Sequence, residues 1–334
     1  MVNIAVLGTW HVHTNQFIDR LLESGQGRVS VVWDDDAERG MKCAARYEVP
    51  FEAHLEKVLA REDIDGVMVE CATTKHAEII IKAADAKKHV FSDKALALNL
   101  KDCLEIKKAI ERNRVKFVVS LEAKVSGPYQ YAKKLIDEGR LGRVTSAYFR
   151  RDHGAAINRF LPDYWYDAAQ TGGGVTLDLG CHGLYLLAQF CGKPKQVTAL
   201  MNELYGTGSD ENSTTIIEFE NGALGTAHTS FVSYKMDNLL EIIGTEGQLV
   251  VTGTGPENYR MLLQSKHLIS YADLSSVPPA EYGSDDEFPI VKFARLIQSD
   301  KEKDGRYDID TAMTLTRLIE CAYQSAGTGR AVSY

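Results

Sequence analysis

Five short apolar runs punctuate the first 120 residues of this chain: Asn3–Leu7, Val29–Trp33, Gly66–Glu70, His89–Ser92 and Lys116–Ser120. Between them, apolar residues recur at helical spacing, as in Phe17, Ile18, Leu21 and Leu22, or Ile79, Ile80 and Ala83. Strands separated by helices require right-handed crossovers, and these build a parallel sheet covered on both faces. Such a doubly wound sheet binds its ligands at the carboxyl ends of the strands. The search for chemistry therefore begins at those ends.

The pattern changes near residue 121, so the expected division is 1–121 and 122–334. A helical stretch over Tyr129–Glu138 precedes a turn and strand in "GRLGRVTSAYFRRDH", and a helix is predicted over roughly 174–190. In "TTIIEFENGALGTAHTSF" two alternating runs flank Asn221-Gly222, which predicts a two-residue type I′ hairpin. "EIIGTEGQLVVTG" predicts a second hairpin, and residues 275–289 read as a polar, Pro-containing loop. The expected second domain is α+β, a large, mostly antiparallel sheet with helices on one face. Its open face predicts self-association as a homo-dimer or homo-tetramer.

Composition excludes some classes. Net charge is −8, with the 38 Lys and Arg scattered, which argues against a nucleic-acid surface. No run approaches the ~18 apolar residues of a membrane span, and the first residues lack the pattern of a signal peptide. The six cysteines show no ligand or disulfide spacing, so a reduced, cytoplasmic setting is expected.

At the end of the first run stands "GTWHVHTNQF" (8–17). Gly8 supplies the tight turn of a dinucleotide-binding loop, but Trp10 and His13 occupy the places of its second and third glycines. Backbone amides from Thr9 to Val12, including those of Trp10 and His11, are expected to meet a pyrophosphate at the helix N-terminus. His11 and His13 carry no carboxylate or Cys at matching spacing, so no metal is expected there. Asp34, after the second run, suits ribose hydroxyls. Asp34, Asp35 and Asp36 together repel the extra phosphate of NADP and favour NAD. Lys94 lies at the end of the fourth run. Asp178 and His182, four apart behind three glycines, share one helix face and suit proton transfer.

Together these segments resemble the Gfo/Idh/MocA family, the glucose-fructose oxidoreductase and inositol dehydrogenase group. The resemblance rests on "KHVFSDKALALNL", "GGGVTLDLGCHGLYLL", "IIEFENGALGTAHTSF", "EIIGTEGQLVV" and "LIECAYQSAGTGRAV". It implies a Rossmann domain that binds NAD(P) and a C-terminal α/β domain with the substrate site. It implies that Lys94, Asp178 and His182 stand at the positions of the family's catalytic Lys, Asp and His. Ala72, Thr73 and His76 fall in its cofactor-lining loop, and Glu122 at a nicotinamide-side position. Asp93 stands where the family has Glu before the lysine, Ala95 and Ala72 where prolines are common, and Tyr185 where an Asp is frequent.

The implied activity is NAD-dependent oxidation of a sugar, cyclitol or related polyol. His182 would take the hydroxyl proton, Lys94 would stabilise the developing charge on oxygen, and Asp178 would orient His182. His153, Asn158, Tyr164, Trp165 and Tyr166 are expected in the substrate pocket, with Arg151 adding charge. Redox-assisted glycoside elimination or epimerisation with recycled NAD, and non-catalytic NAD or sugar sensing, remain as alternatives.

Overall fold

The fold is that of a computed structural model, in which residues 1–234 and 237–334 are described. The chain forms two compact units: Met1–Leu121 with Glu287–Thr316, and Glu122–Asp286 with Arg317–Tyr334.

In the first unit, strands β1 (Val2–Leu7), β2 (Gly27–Trp33), β3 (Gly66–Val69), β4 (His89–Ser92) and β5 (Phe117–Val119) make a sheet ordered β2-β1-β3-β4-β5. Every pairing is parallel. Helices α1 (Thr14–Glu23), α2 (Ala37–Arg46), α3 (Leu55–Leu59), α4 (His76–Asp85) and α5 (Leu100–Asn113) lie between the strands. All four residues of β3 are buried, as expected of a strand covered on both faces. Phe91 on β4 meets Phe17 of α1 edge-on at 5.4 Å between ring centroids.

The segment Glu287–Thr316 also belongs to this unit, whereas the sequence reading placed everything after 121 in the second domain. Its helix Pro289–Ile297 buries Phe293, which packs on Phe91 with centroids 6.0 Å apart. Beyond it, the Tyr307 carbonyl accepts the Val119 N–H at 2.9 Å. Apolar surface on one helix and a backbone bond to β5 hold the segment here.

The second unit contains a nine-stranded sheet. Its strands are β6 (Val144–Asp152), β7 (Pro194–Asn202), β8 (Asn212–Phe219), β9 (Leu224–Ser230), β10 (Asp237–Gly244), β11 (Gly247–Thr252), β12 (Arg260–Ser265), β13 (Ser275–Ser276) and β14 (Val332–Ser333). The order is β13-β12-β11-β10-β6-β9-β8-β7-β14. Among the described residues, only β6 and β9 pair in parallel in this sheet. Helix α6 (Gly127–Asp137) precedes the sheet, and α7 (Cys181–Cys191) packs on β6 and β9. Gly183 is essential to that packing: a Cβ there would meet Ala227 and Phe149 at 2.9 Å. On β7, β8 and β9, Leu200, Ile216 and Leu224 are exposed and share one face of the sheet.

Two local expectations need correction. The β8–β9 connection has three residues, not two: the Phe219 N–H donates to the Ala223 carbonyl, and the Gly222 N–H to the Phe219 carbonyl. Only Gly222 takes a positive φ (+85°), so the turn is type I closed by a glycine bulge, since type I′ needs positive φ at both central residues. The helix predicted over 174–190 is an α-helix only from Cys181; Thr176–Gly180 forms a single π turn.

Candidate active site

In the first unit, Gly8 has φ +89°, and a Cβ at this position would lie 2.5 Å from the Cys71 backbone nitrogen. The glycine is thus required both for conformation and for the close approach of β1 to the loop after β3. The amides that follow are engaged within the fold. Thr9 donates its N–H to Asp34 Oδ2 at 2.7 Å, and Trp10 and His11 both donate to the Glu70 carbonyl at 3.1 Å. Trp10 is buried, and His13 packs between the rings of His11 and Phe17 at centroid distances of 4.7 and 6.0 Å.

Asp34 is fully enclosed. Its carboxylate accepts the Thr9 hydroxyl at 2.6 Å, the Asp36 N–H at 2.8 Å and two bonds from Arg39, at 2.6 and 3.1 Å. Arg39 also reaches Asp35, which pairs with Lys75. Burial pushes the Asp35 carboxyl up, but its ion pairs with Lys75 and Arg39 outweigh it and the net shift is downward. Asp36 caps α2, accepting the N–H groups of Glu38 and Arg39. The sequence alone does not single out the basic partners Arg39 and Lys75, although Lys75 lies within the loop that carries Ala72, Thr73 and His76.

His76 opens α4 and is buried. Its Nδ1 lies 3.0 Å from the Ala95 carbonyl and its Nε2 3.0 Å from that of Cys71, so it ties the loop after β3 to the segment after β4. Thr73 is buried in the short 3₁₀ turn Thr73–Lys75, whose Lys75 N–H donates to the Ala72 carbonyl at 2.8 Å. Asp93 and Lys94 are buried at the end of β4, and the Lys94 N–H donates to Asp93 Oδ1 at 2.7 Å. Asp93 Oδ2 stands 2.8 Å from His11 Nδ1. The fold therefore supplies the carboxylate that the sequence around His11 and His13 lacks.

In the second unit, Asp178 sits in the π turn, a distortion that frequently marks functional sites, and His182 begins α7. His182 is buried. Its Nδ1 lies 2.7 Å from the Tyr185 hydroxyl, and its Nε2 3.9 Å from Glu122 Oε1. Tyr185 Oη accepts the Ala123 N–H at 3.0 Å, which leaves its own hydrogen for His182 Nδ1. A neutral His182 then carries its proton on Nε2, on the side facing Glu122. Arg151 lies 3.7 Å from Glu122. Burial pushes the Tyr185 phenol well above its ordinary range and keeps it protonated. In the sequence Tyr185 stands out only as a departure from the family's Asp.

The other expected substrate residues lie at the end of β6 and in the segment that follows it. His153 stacks on Phe231 at 5.0 Å and meets Phe160 edge-on. Tyr166 donates its hydroxyl to the Ala155 carbonyl at 2.8 Å. Trp165 is buried, Tyr164 and Arg151 are half-buried, and Asn158 is exposed.

A five-stranded parallel sheet carrying a glycine turn, followed by a large open-faced sheet, defines a dinucleotide-binding oxidoreductase architecture. Residues 2–121 match the oxidoreductase-family NAD-binding Rossmann fold model, and residues 129–250 match the GFO/IDH/MocA C-terminal domain. The chain belongs to the GFO/IDH/MocA oxidoreductase family. It is 30% identical to scyllo-inositol 2-dehydrogenase (NAD(+)) of Bacillus subtilis over 220 residues, a match covering 63% of this chain and 61% of that protein. It is 23% identical to scyllo-inositol 2-dehydrogenase (NADP(+)) of the same organism, over 98% of both chains. The fold aligns with that of levoglucosan dehydrogenase in complex with NADH and L-sorbose at TM-score 0.87 and 18% identity, covering 100% of this chain and 98% of that one. No helix among the described residues is long and apolar enough to cross a membrane.

Proposed function

We propose that this protein is an NAD-dependent dehydrogenase of a sugar, cyclitol or related polyol, moving a hydride between the nicotinamide and a hydroxyl-bearing carbon. The observation that carries the reading is the buried His182–Tyr185 pair with the half-buried Glu122 facing Nε2, on a chain of this family. The family's relatives act on cyclitol and sugar hydroxyls, in keeping with this substrate class.

The first unit would hold the dinucleotide with the segment from Gly8 to His11, Asp34, the Ala72–His76 loop and Asp93, and would present Lys94. Bound NAD supplies the hydride acceptor. Lys94 stabilises negative charge on a reacting oxygen. NAD rather than NADP is proposed because three carboxylates, Asp34, Asp35 and Asp36, outnumber the two cations that pair with them.

The second unit would bind the hydroxyls and handle the proton. His182 does so through Nε2. Rotation of the Tyr185 hydroxyl lets Nδ1–H donate to Oη, which leaves an Nε2 lone pair to accept the substrate proton. Asp178 and Glu122 bind and orient neighbouring hydroxyls, and the segment carrying His153, Asn158, Trp165 and Tyr166 contributes to the substrate surface. The exposed Leu200, Ile216 and Leu224 favour a homo-dimer or homo-tetramer joined through that sheet face.

Calorimetry with NAD and NADP, followed by a screen of sugars and cyclitols at the NADH absorbance band, tests the proposal. Lys94→Ala and His182→Ala should each lose turnover while folding normally. Wild-type activity in both would overturn these roles.

A further inference from the structure

The turn after β1 brings two imidazoles and a carboxylate into one small space. His11 Nδ1 and Asp93 Oδ2 are 2.8 Å apart, and the ligand-capable atoms of His11, His13 and Asp93 all lie within 4.8 Å of one another. His11 and Asp93 are buried and His13 is half-buried, so this is not a solvated surface cluster. Two histidines and a carboxylate form a donor set suited to a first-row divalent ion, with a position left for water or a ligand oxygen.

A second observation is independent of these three side chains. Glu70, at the end of β3, is fully buried; its Oε1 has no hydrogen-bond partner among the described residues, and its Oε2 meets only the Thr14 hydroxyl, at 3.4 Å. Glu70 lies against the same turn, its carbonyl accepting the Trp10 and His11 N–H groups at 3.1 Å. A buried carboxyl oxygen without a partner is costly, and a dication held between His11, His13 and Asp93 would sit beside it and offset that cost.

We propose that His11, His13 and Asp93 bind a divalent transition-metal ion of the zinc type, beside the buried Glu70 carboxyl. Zinc bonds of about 2.0–2.2 Å set tetrahedral ligands roughly 3.3 Å apart. The His11–Asp93 pair then opens by about half an ångström and the more distant donors close by about 1.5 Å, movements within the range of side-chain rotation. The site shares His11 and Asp93 with the segments proposed to hold the dinucleotide, so metal and dinucleotide are tested on the same protein.

The test uses the full chain stripped with a chelator and dialysed against Zn²⁺, with bound metal measured by mass spectrometry. Wild type should retain one zinc per chain. His13→Gln and Asp93→Asn should each weaken binding at least about tenfold, while His54→Gln, an exposed histidine elsewhere in this unit, leaves it unchanged. No zinc above background, or equal retention in both ligand variants, overturns the proposal. Should a variant lose its far-ultraviolet dichroism, Co²⁺ added to wild type gives a second readout. A visible d–d band showing nitrogen and oxygen ligation supports the site, and a spectrum of aqueous Co²⁺ overturns it. NAD titration of the same metal-free protein separates failure of this site from failure of the dinucleotide reading.

Discussion

His182 Nδ1 and the Tyr185 hydroxyl are 2.7 Å apart, both buried on the first turn of α7. Three residues of separation place them on one helix face. The Ala123 N–H occupies one lone pair of the phenol oxygen and so holds that oxygen in place against His182 Nδ1. On the proposed mechanism Tyr185 is a positioning residue, acting through the tautomer of His182.

Tyr185→Phe keeps the ring and removes only this bond. The expected result is a fall in kcat of about ten- to a hundredfold, because general acid–base catalysis of this size depends on the orientation of the imidazole. Dinucleotide affinity should be unchanged. Steady-state kinetics at several pH values would show an altered pH profile, whereas an unchanged kcat and profile would reduce Tyr185 to packing.

His76 gives a pH signature. Burial, the largest influence, lowers its pKa below 6.5 despite the nearby Asp93 charge and the two carbonyl contacts. With the folded value below the unfolded one, the stability of the neutral ring is fully present above pH 6.5. It is lost as pH falls through the folded value. The advantage of wild type over His76→Gln in denaturant titrations should therefore shrink between about pH 7.5 and about pH 5. A difference independent of pH would contradict this.

Thiol chemistry offers a check on the core. All six cysteines are free and buried. Burial, helped by the Asp34 charge, pushes the Cys43 thiol up to about 11, and burial alone pushes Cys191 up to about 12. Because the thiolate is the reactive form, about one Cys43 in a thousand is reactive at pH 8. A colorimetric disulfide reagent should react with the native protein at least about a hundredfold more slowly than with the guanidinium-unfolded chain. Rapid reaction of several native thiols would show the packing to be wrong.

The sequence pattern was most informative where a segment's environment is local. Buried parallel strands read as apolar runs, so His89–Ser92 coincides with β4 and the other runs fall within a few residues of their strands. The π turn at Thr176–Gly180 was hidden because its apolar spacing matches that of the α-helix it enters. Asn221-Gly222 suggested type I′, but the outcome depended on the conformation of Asn221, which the dipeptide alone does not determine. The meeting of His11 with Asp93, and of Asp35 with Lys75, joins separate βα loops at the carboxyl edge of the sheet. A single sequence carries no spacing rule for such meetings. Tyr185 lay in plain view three residues after His182, yet its role required the position of the Ala123 amide.

The enclosure of Asp34 leads to a last expectation, about cofactor choice. Its two oxygens hold Thr9 on one side and Arg39 on the other, so the carboxylate both shapes the glycine turn and neutralises a guanidinium. Asp34→Asn keeps the size of the side chain and removes its charge. Arg39 would remain beside Asp35 with one anion fewer, and a guanidinium released in this way suits a phosphate. Calorimetry should show NAD binding weakened and the NAD-to-NADP preference shifted toward NADP by about tenfold, or about 1.4 kcal/mol. Arg39→Gln in the same background should abolish the shift, because the cation that would hold the extra phosphate is gone. If Asp34→Asn weakens both dinucleotides equally, the carboxylate acts only through the shape of the turn, and the charge argument for NAD fails.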